Sequence, residues 1–149
     1  MKKVLLLGDS IRMGYDKYTR DKLSGVAEVY FPEENCRFTT YILRYVYDWS
    51  DQLKINRDEI DVVHWNAGLW DCLHMEDGEP LVPVDVYERN IARVQGLISK
   101  AFPNAKSVFA TSTSVSEKCG NGRVNADTTA RSNSITKQQS VLLLHSVVR

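Results

Sequence analysis

The chain carries no excess charge of either sign. Lys and Arg number 19, Asp and Glu number 19, and the formal net charge of the 149 residues is zero. Such a chain has no field to draw it to nucleic acid or to an anionic membrane surface. It also lacks a long apolar run. Met1-Lys2-Lys3 followed by Val4 to Leu7 begins like a secretory leader, but the run stops at Gly8-Asp9 and no small-residue cleavage site follows. No stretch is long enough to span a bilayer. Cysteine is scarce. Cys36, Cys72 and Cys119 are odd in number and share no metal-ligand spacing, which fits reduced thiols in a cytoplasmic protein. A last shortage is local: no Asp or Glu follows Asp127, so no nearby acid can orient the late His145.

What the chain does have is 43% hydrophobic and 26% charged residues, ordinary for one globular domain spanning residues 1–149. Val4 to Leu7 is too short for a helix and right for a strand buried on both faces. The run ends at Gly8-Asp9-Ser10. Gly8 permits a tight turn, and Asp9 or Ser10 can cap the helix expected from Met13 to Leu23. Ser10 therefore sits where a strand's carboxyl end meets a helix N-terminus, the edge at which open α/β sheets bind ligands. The free N–H groups there suit a developing oxyanion. An N-cap serine with no further role is the competing interpretation of the same residue.

The elements then alternate. Val26 to Phe31 forms a strand, Glu33 to Arg37 a polar loop, and Phe38 to Leu53 a helix with Ile42, Tyr45, Val46 and Trp49 on one face. Asp61 to Asn66 is a third strand, with Ala67 to Asp71 as its turn and a long loop to Pro83. Val84 to Phe102 has the clearest apolar stripe, and Lys106 to Thr111 is a fourth strand. This order predicts a parallel sheet with helices on both faces, with the turns at Ser10, Asn35-Cys36 and Asn66 to Asp71 along one edge. Residues 112–134 have a loop-like composition, and residues 128–149 are atypical of the rest. Val141 to Leu144, with Val147 and Val148, fits a helix or a strand. A bare apolar patch left by this region would favour homo-oligomers formed through the C-terminal region.

Gly8-Asp9-Ser10 at the first strand end, the Asn35 loop, and Asn66-Ala67-Gly68-Leu69-Trp70-Asp71 after the third strand together resemble the GDSL/SGNH hydrolases over residues 1–115. The resemblance implies a three-layer α/β/α, flavodoxin-like fold and an acylhydrolase or esterase that needs no metal or cofactor. It implies a small-molecule ester substrate, an acylated carbohydrate among the options. Ser10 falls on the family's nucleophile, and its own N–H belongs to the oxyanion hole. The family's glycine N–H after strand two falls on Cys36. Its Gly-x-Asn-Asp aligns with Gly68 to Asp71, which puts Trp70 in the place of the asparagine. Asn66, two residues before Gly68, is then the expected amide donor, and Trp70 a substrate-binding wall.

The chain departs from the family at its end, where the Asp-x-x-His that supplies the general base is missing. A truncated or frameshifted C-terminus is the expectation, and with it a weak or inactive hydrolase. His64 is expected to pack in the core or against a helix. His74 lies with Cys72, Glu76 and Asp77, but that spacing matches no standard metal site. Two other classes remain open. One is a non-catalytic binding module with Trp65, Trp70 and Tyr41 as platforms. The other is a phosphate or nucleotide binder at the first helix N-terminus, which a single glycine in the first turn argues against.

Overall fold

A computed structural model describes residues 1–112. The atypical residues 128–149, His145, Cys119, the Val141 to Val148 segment and any association through the C-terminal region lie outside the described residues. The elements are β1 (Lys2–Leu7), α1 (Ser10–Lys22), β2 (Ala27–Tyr30), α2 (Thr39–Gln52), a short 3-10 turn (Arg57–Glu59), β3 (Val62–Trp65), α3 (Val84–Ala101) and β4 (Lys106–Phe109). The four strands pair in parallel in the order β2-β1-β3-β4. This is the α/β architecture the alternation predicts.

The apolar run from Val4 to Leu7 is central because β1 is paired on both sides, Leu5 with Tyr30 of β2 and with Val63 of β3. The chain runs from β1 to the edge strand β2 and then reverses across the sheet, so the connections leaving β1 and β3 go to opposite sides. The connection through α1 runs to β2, and those through α2 and α3 run the other way. Right-handed crossovers then place α1 on one face and α2 with α3 on the other. Strand alternation sorts the side chains accordingly. Leu5, Leu7, Val63 and Trp65 join one core with Ile42, Val46, Trp49, Tyr87, Ile91, Val94 and Ile98. His64, between Val63 and Trp65, points to the opposite, α1 face, where its ring meets Tyr15 edge-on at 6.1 Å and 85°. The expectation that His64 packs against a helix is met there, although it is only half-buried.

Helix α1 begins at Ser10, three residues before the sequence-based start. Asp9 makes the difference: its Oδ1 accepts the Ile11 N–H at 2.9 Å and caps the helix itself. Such a cap contributes about 1 kcal/mol. Helix α2 has no cap of its own, since Phe38 precedes it. Asp71, from the turn after β3, supplies one instead, accepting from Thr39 N–H at 3.1 and 3.2 Å and from Thr39 Oγ1 at 2.5 Å. Asn90 of α3 donates to the same Thr39 hydroxyl at 3.1 Å. One buried carboxylate thereby ties the β3 turn to α2 and, through Thr39, to α3. Burial raises the Asp71 carboxyl to about 6, against the Thr39 hydrogen bonds that favour its charge.

The candidate active site

The site assembles at the carboxyl edge of β1 and β3. Ser10 is exposed on the first turn of α1. It is not the cap residue, because Asp9 fills that position. Asn66 follows β3 directly, and its N–H continues the ladder to Leu7 C=O at 3.1 Å. The residue is 7% exposed, and its Nδ2 donates to Asp9 Oδ1 at 3.1 Å. Its Oδ1 lies against Gly8, where an added Cβ would come within 1.9 Å of it. Asn66 thus reaches the turn that carries Ser10. No described atom accepts from, or donates to, Asp9 Oδ2 or Asn66 Oδ1, although both are buried.

Beside this turn lies a cavity of about 220 Å³. Ile11 and Tyr15 of α1 form one wall, His64 and Asn66 the floor, and Leu69 with residues 110–112 the other side. Tyr15 Oη and His64 Nδ1 approach to 3.5 Å within it. Burial lowers the His64 pKa below its ordinary value and raises that of Tyr15, so both rings are neutral near pH 7.

Two expected site residues fall elsewhere. The Cys36 N–H, expected to face an oxyanion, donates to Gly8 C=O at 3.0 Å. That bond fastens the β2–α2 loop to the nucleophile turn and leaves this donor occupied. The left-handed backbone falls one residue on, at Arg37 with φ 52°. There Asn35 Oδ1 accepts the Arg37 N–H at 2.7 Å. Trp70, expected to wall the pocket, is half-buried but does not line the cavity; Leu69 does. That expectation rests on aligning Gly68 to Asp71 with the family's Gly-x-Asn-Asp; in the structure Gly68 has a φ of 149°. Of the aromatic platforms considered, Trp65 is fully buried, its ring tilted 43° to that of Phe109 at 4.3 Å and its Nε1 donating to Ser107 Oγ. Tyr41 donates to Glu34 Oε2 at 2.8 Å and lies beneath the Arg37 guanidinium.

One residue that the sequence left unremarked is central to the loop. Arg12 is completely buried. Its guanidinium donates to Asp16 at 2.7 Å, to Pro32 C=O at 2.8 Å and to Glu34 C=O at 2.5 Å. The i,i+4 spacing of Arg12 and Asp16 was the available signal. Glu34 completes the brace by accepting from Trp49 Nε1 at 2.6 Å and from Tyr41, bonds that hold its carboxyl below the usual range. The segment around His74 is a small hairpin, with Leu81 N–H bonded to Leu73 C=O and Met75 N–H to Glu79 C=O. Among the described residues, no group of three or more His, Cys, Asp or Glu is placed to hold a metal ion. No helix among them is long and apolar enough to cross a membrane.

No family model and no curated protein sequence matches the chain. Solved structures do. An acetyl xylan esterase, AlAXEase, superposes with a TM-score of 0.65 at 20% identity, covering 93% of this chain and 72% of that one. A GDSL-like lipase from Bacteroides thetaiotaomicron VPI-5482 gives a TM-score of 0.64 at 16% identity, over 97% of this chain and 65% of that one. The psychrotrophic esterase EstA from Pseudoalteromonas sp., in a structure inhibited by monoethylphosphonate, gives 0.57 at 16% identity, over 94% and 73%. The chain therefore spans about two thirds to three quarters of the length of these neighbours. The fold is the α/β fold of these GDSL-like hydrolases.

Proposed function

We propose that the chain is an ester hydrolase with Ser10 as nucleophile. The observation that carries this reading is the convergence of two strand ends. Ser10 stands exposed on the first turn of α1, after the central strand, while Asp9 holds the Asn66 amide beside the same turn. In the reaction, Ser10 Oγ bonds to the acyl carbon while its proton passes to solvent water, and the bond from that carbon to the alcohol oxygen breaks. The alcohol then leaves with a proton, and water hydrolyses the acyl-enzyme. The second Nδ2 hydrogen of Asn66 and the Ser10 N–H are the oxyanion donors in this scheme. Cys36 is not among them, since its N–H is bonded to Gly8.

In this reading no residue of the sequence is named as general base for Ser10. In this sequence no Asp-x-x-His occurs in the last third, and His145 has no acid after it. A serine without its base retains roughly 10³–10⁴-fold acceleration over water from the oxyanion hole and binding. We therefore expect slow turnover. The cavity of about 220 Å³ suits a short acyl chain, and the acetyl xylan esterase among the structural neighbours makes an acetylated carbohydrate the first natural substrate to try. A cytoplasmic setting belongs to this reading, one in which buried thiols such as Cys36 and Cys72 stay reduced.

The test is hydrolysis of a short-chain aryl acetate by the chain beside its Ser10→Ala variant. Slow turnover that disappears in the variant is expected. Equal rates in both would overturn the hydrolase reading, and ligand binding without cleavage would then favour a binding module.

A further inference from the structure

We propose that Asp9, besides capping α1, is the positioning residue that fixes the Asn66 amide as an oxyanion donor, with Gly8 as the surface against which it is fixed. This rests on the hydrolase reading of Ser10 and Asn66.

An asparagine amide has two nearly isosteric orientations, and only the one presenting nitrogen can donate. An ionised carboxylate only accepts. Asp9 is completely buried, and its Oδ1 already accepts the Ile11 N–H at 2.9 Å. The same oxygen receives Asn66 Nδ2 at 3.1 Å. Flipping the amide would bring Asn66 Oδ1 against that carboxylate oxygen, so Asp9 selects the donor orientation. Asn66 Oδ1 is then turned to the backbone of Gly8, into space that a Cβ would fill. The amide is held on both sides: nitrogen by an acceptor oxygen, oxygen by a surface only glycine leaves open. One Nδ2 hydrogen is committed to Asp9 and the other remains for a ligand. The helix cap and the donor share one acceptor atom, so the placement of Ser10 on α1 and the aim of Asn66 are set together.

Asp9→Ser separates the two roles. Serine is a good N-cap, so α1 keeps its start, but its side chain is too short to hold Asn66. Activity against the aryl acetate is expected to fall roughly 10- to 100-fold, in kcat rather than KM, the cost of a misaimed group. Asp9→Asn can accept from both donors through its own Oδ1 and is expected to recover at least about tenfold of that loss. In an Asn66→Ala background, Asp9→Ser is expected to cause no further loss, because the residue it aims is gone. Full activity in Asp9→Ser, or additive losses in the double variant, would overturn the proposal while leaving Ser10 as nucleophile. A Ser10→Ala variant as active as the parent, or no turnover at all, counts instead against the hydrolase reading. In that case nitrogen-15 NMR of the Asn66 side-chain amide still decides. One slowly exchanging Nδ2 proton is expected in the parent and in Asp9→Asn and lost in Asp9→Ser; an amide indifferent to both substitutions overturns the proposal.

Discussion

Gly8 and Asn66 are in contact through the one face of Gly8 that a side chain would occupy: a Cβ there would stand 1.9 Å from Asn66 Oδ1 and 2.9 Å from Arg12 Cβ. Neither neighbour has room to retreat, since both residues are buried. The glycine of Gly-Asp-Ser is thus required by packing across two strands as well as by the turn. Gly8→Ala is expected to destabilise by about 1–3 kcal/mol, as overpacking in a filled core does. It should also displace the Asn66 amide. Urea unfolding measures the first effect, and the Asn66 side-chain NMR signal the second.

Ser10 makes a clean contrast. It is exposed and does not cap its helix, so Ser10→Ala should leave the unfolding free energy within about 0.5 kcal/mol of the parent. Asp9→Ala should cost about 1 kcal/mol or more for the lost cap. Chemical denaturation of the two variants side by side tests the assignment of the cap. A Ser10→Ala loss as large as that of Asp9→Ala would show that Ser10 holds the helix start.

Arg12 is a buried cation whose partners are one carboxylate and two loop carbonyls. Replacing it by Met leaves Asp16 charged, buried and unpaired, which costs roughly 3–5 kcal/mol. Arg12→Met combined with Asp16→Leu removes both charges and is expected to recover much of that loss. The comparison of urea midpoints separates the ion pair from the loop brace, because the Pro32 and Glu34 carbonyls stay unsatisfied in both variants.

Asp71 gives a pH dependence of unusual sign for a carboxylate. Its folded-state value of about 6 lies above the ordinary 3.8, so the folded chain holds a proton that the unfolded chain has released between these values. The contribution of Asp71 to stability is therefore full below pH 3.8 and declines until pH 6, by an amount on the order of 3 kcal/mol. Glu34 and Asp61, lowered by hydrogen bonds from Trp49 and Lys2, act in the opposite direction. The difference between the parent and Asp71→Asn isolates the effect. Asparagine still accepts from Thr39, so the variant should gain stability relative to the parent as pH rises from 4 to 6. A difference independent of pH would show that Asp71 is not raised.

The order and kind of the elements were legible because each strand is short and apolar and each long helix shows its stripe. The sequence leaves His64 between the core and a helix; the two-fold alternation through Val63, His64 and Trp65, seen in the structure, puts it on the α1 face. Legibility failed where a residue's role depends on a partner far along the chain. Cys36 sits at the expected loop, yet its N–H is claimed by Gly8, and no local pattern announces that bond. The alignment of Gly68 to Asp71 with the family's Gly-x-Asn-Asp puts Trp70 at the pocket wall, yet Leu69 is the residue of that turn that lines the cavity. Arg12 draws no attention in the sequence because an Arg on a helix is normally exposed, and the distant carbonyls of Pro32 and Glu34, with Asp16, are what accompany its burial.

The bond from Thr39 to Asp71 has a consequence for motion. The first turn of α2 cannot fray without uncovering a carboxylate, and the turn after β3 cannot swing out without stripping α2 of its acceptor. Asn90 extends the constraint to α3. These segments should open as one unit of hydrogen exchange, with the Thr39 and Val82 amides sharing a single protection free energy. The Val82 N–H bond to Asp71 C=O at 2.9 Å joins the base of the Leu73 to Leu81 hairpin to the same unit, so one aspartate anchors a helix start through its side chain and a hairpin through its backbone.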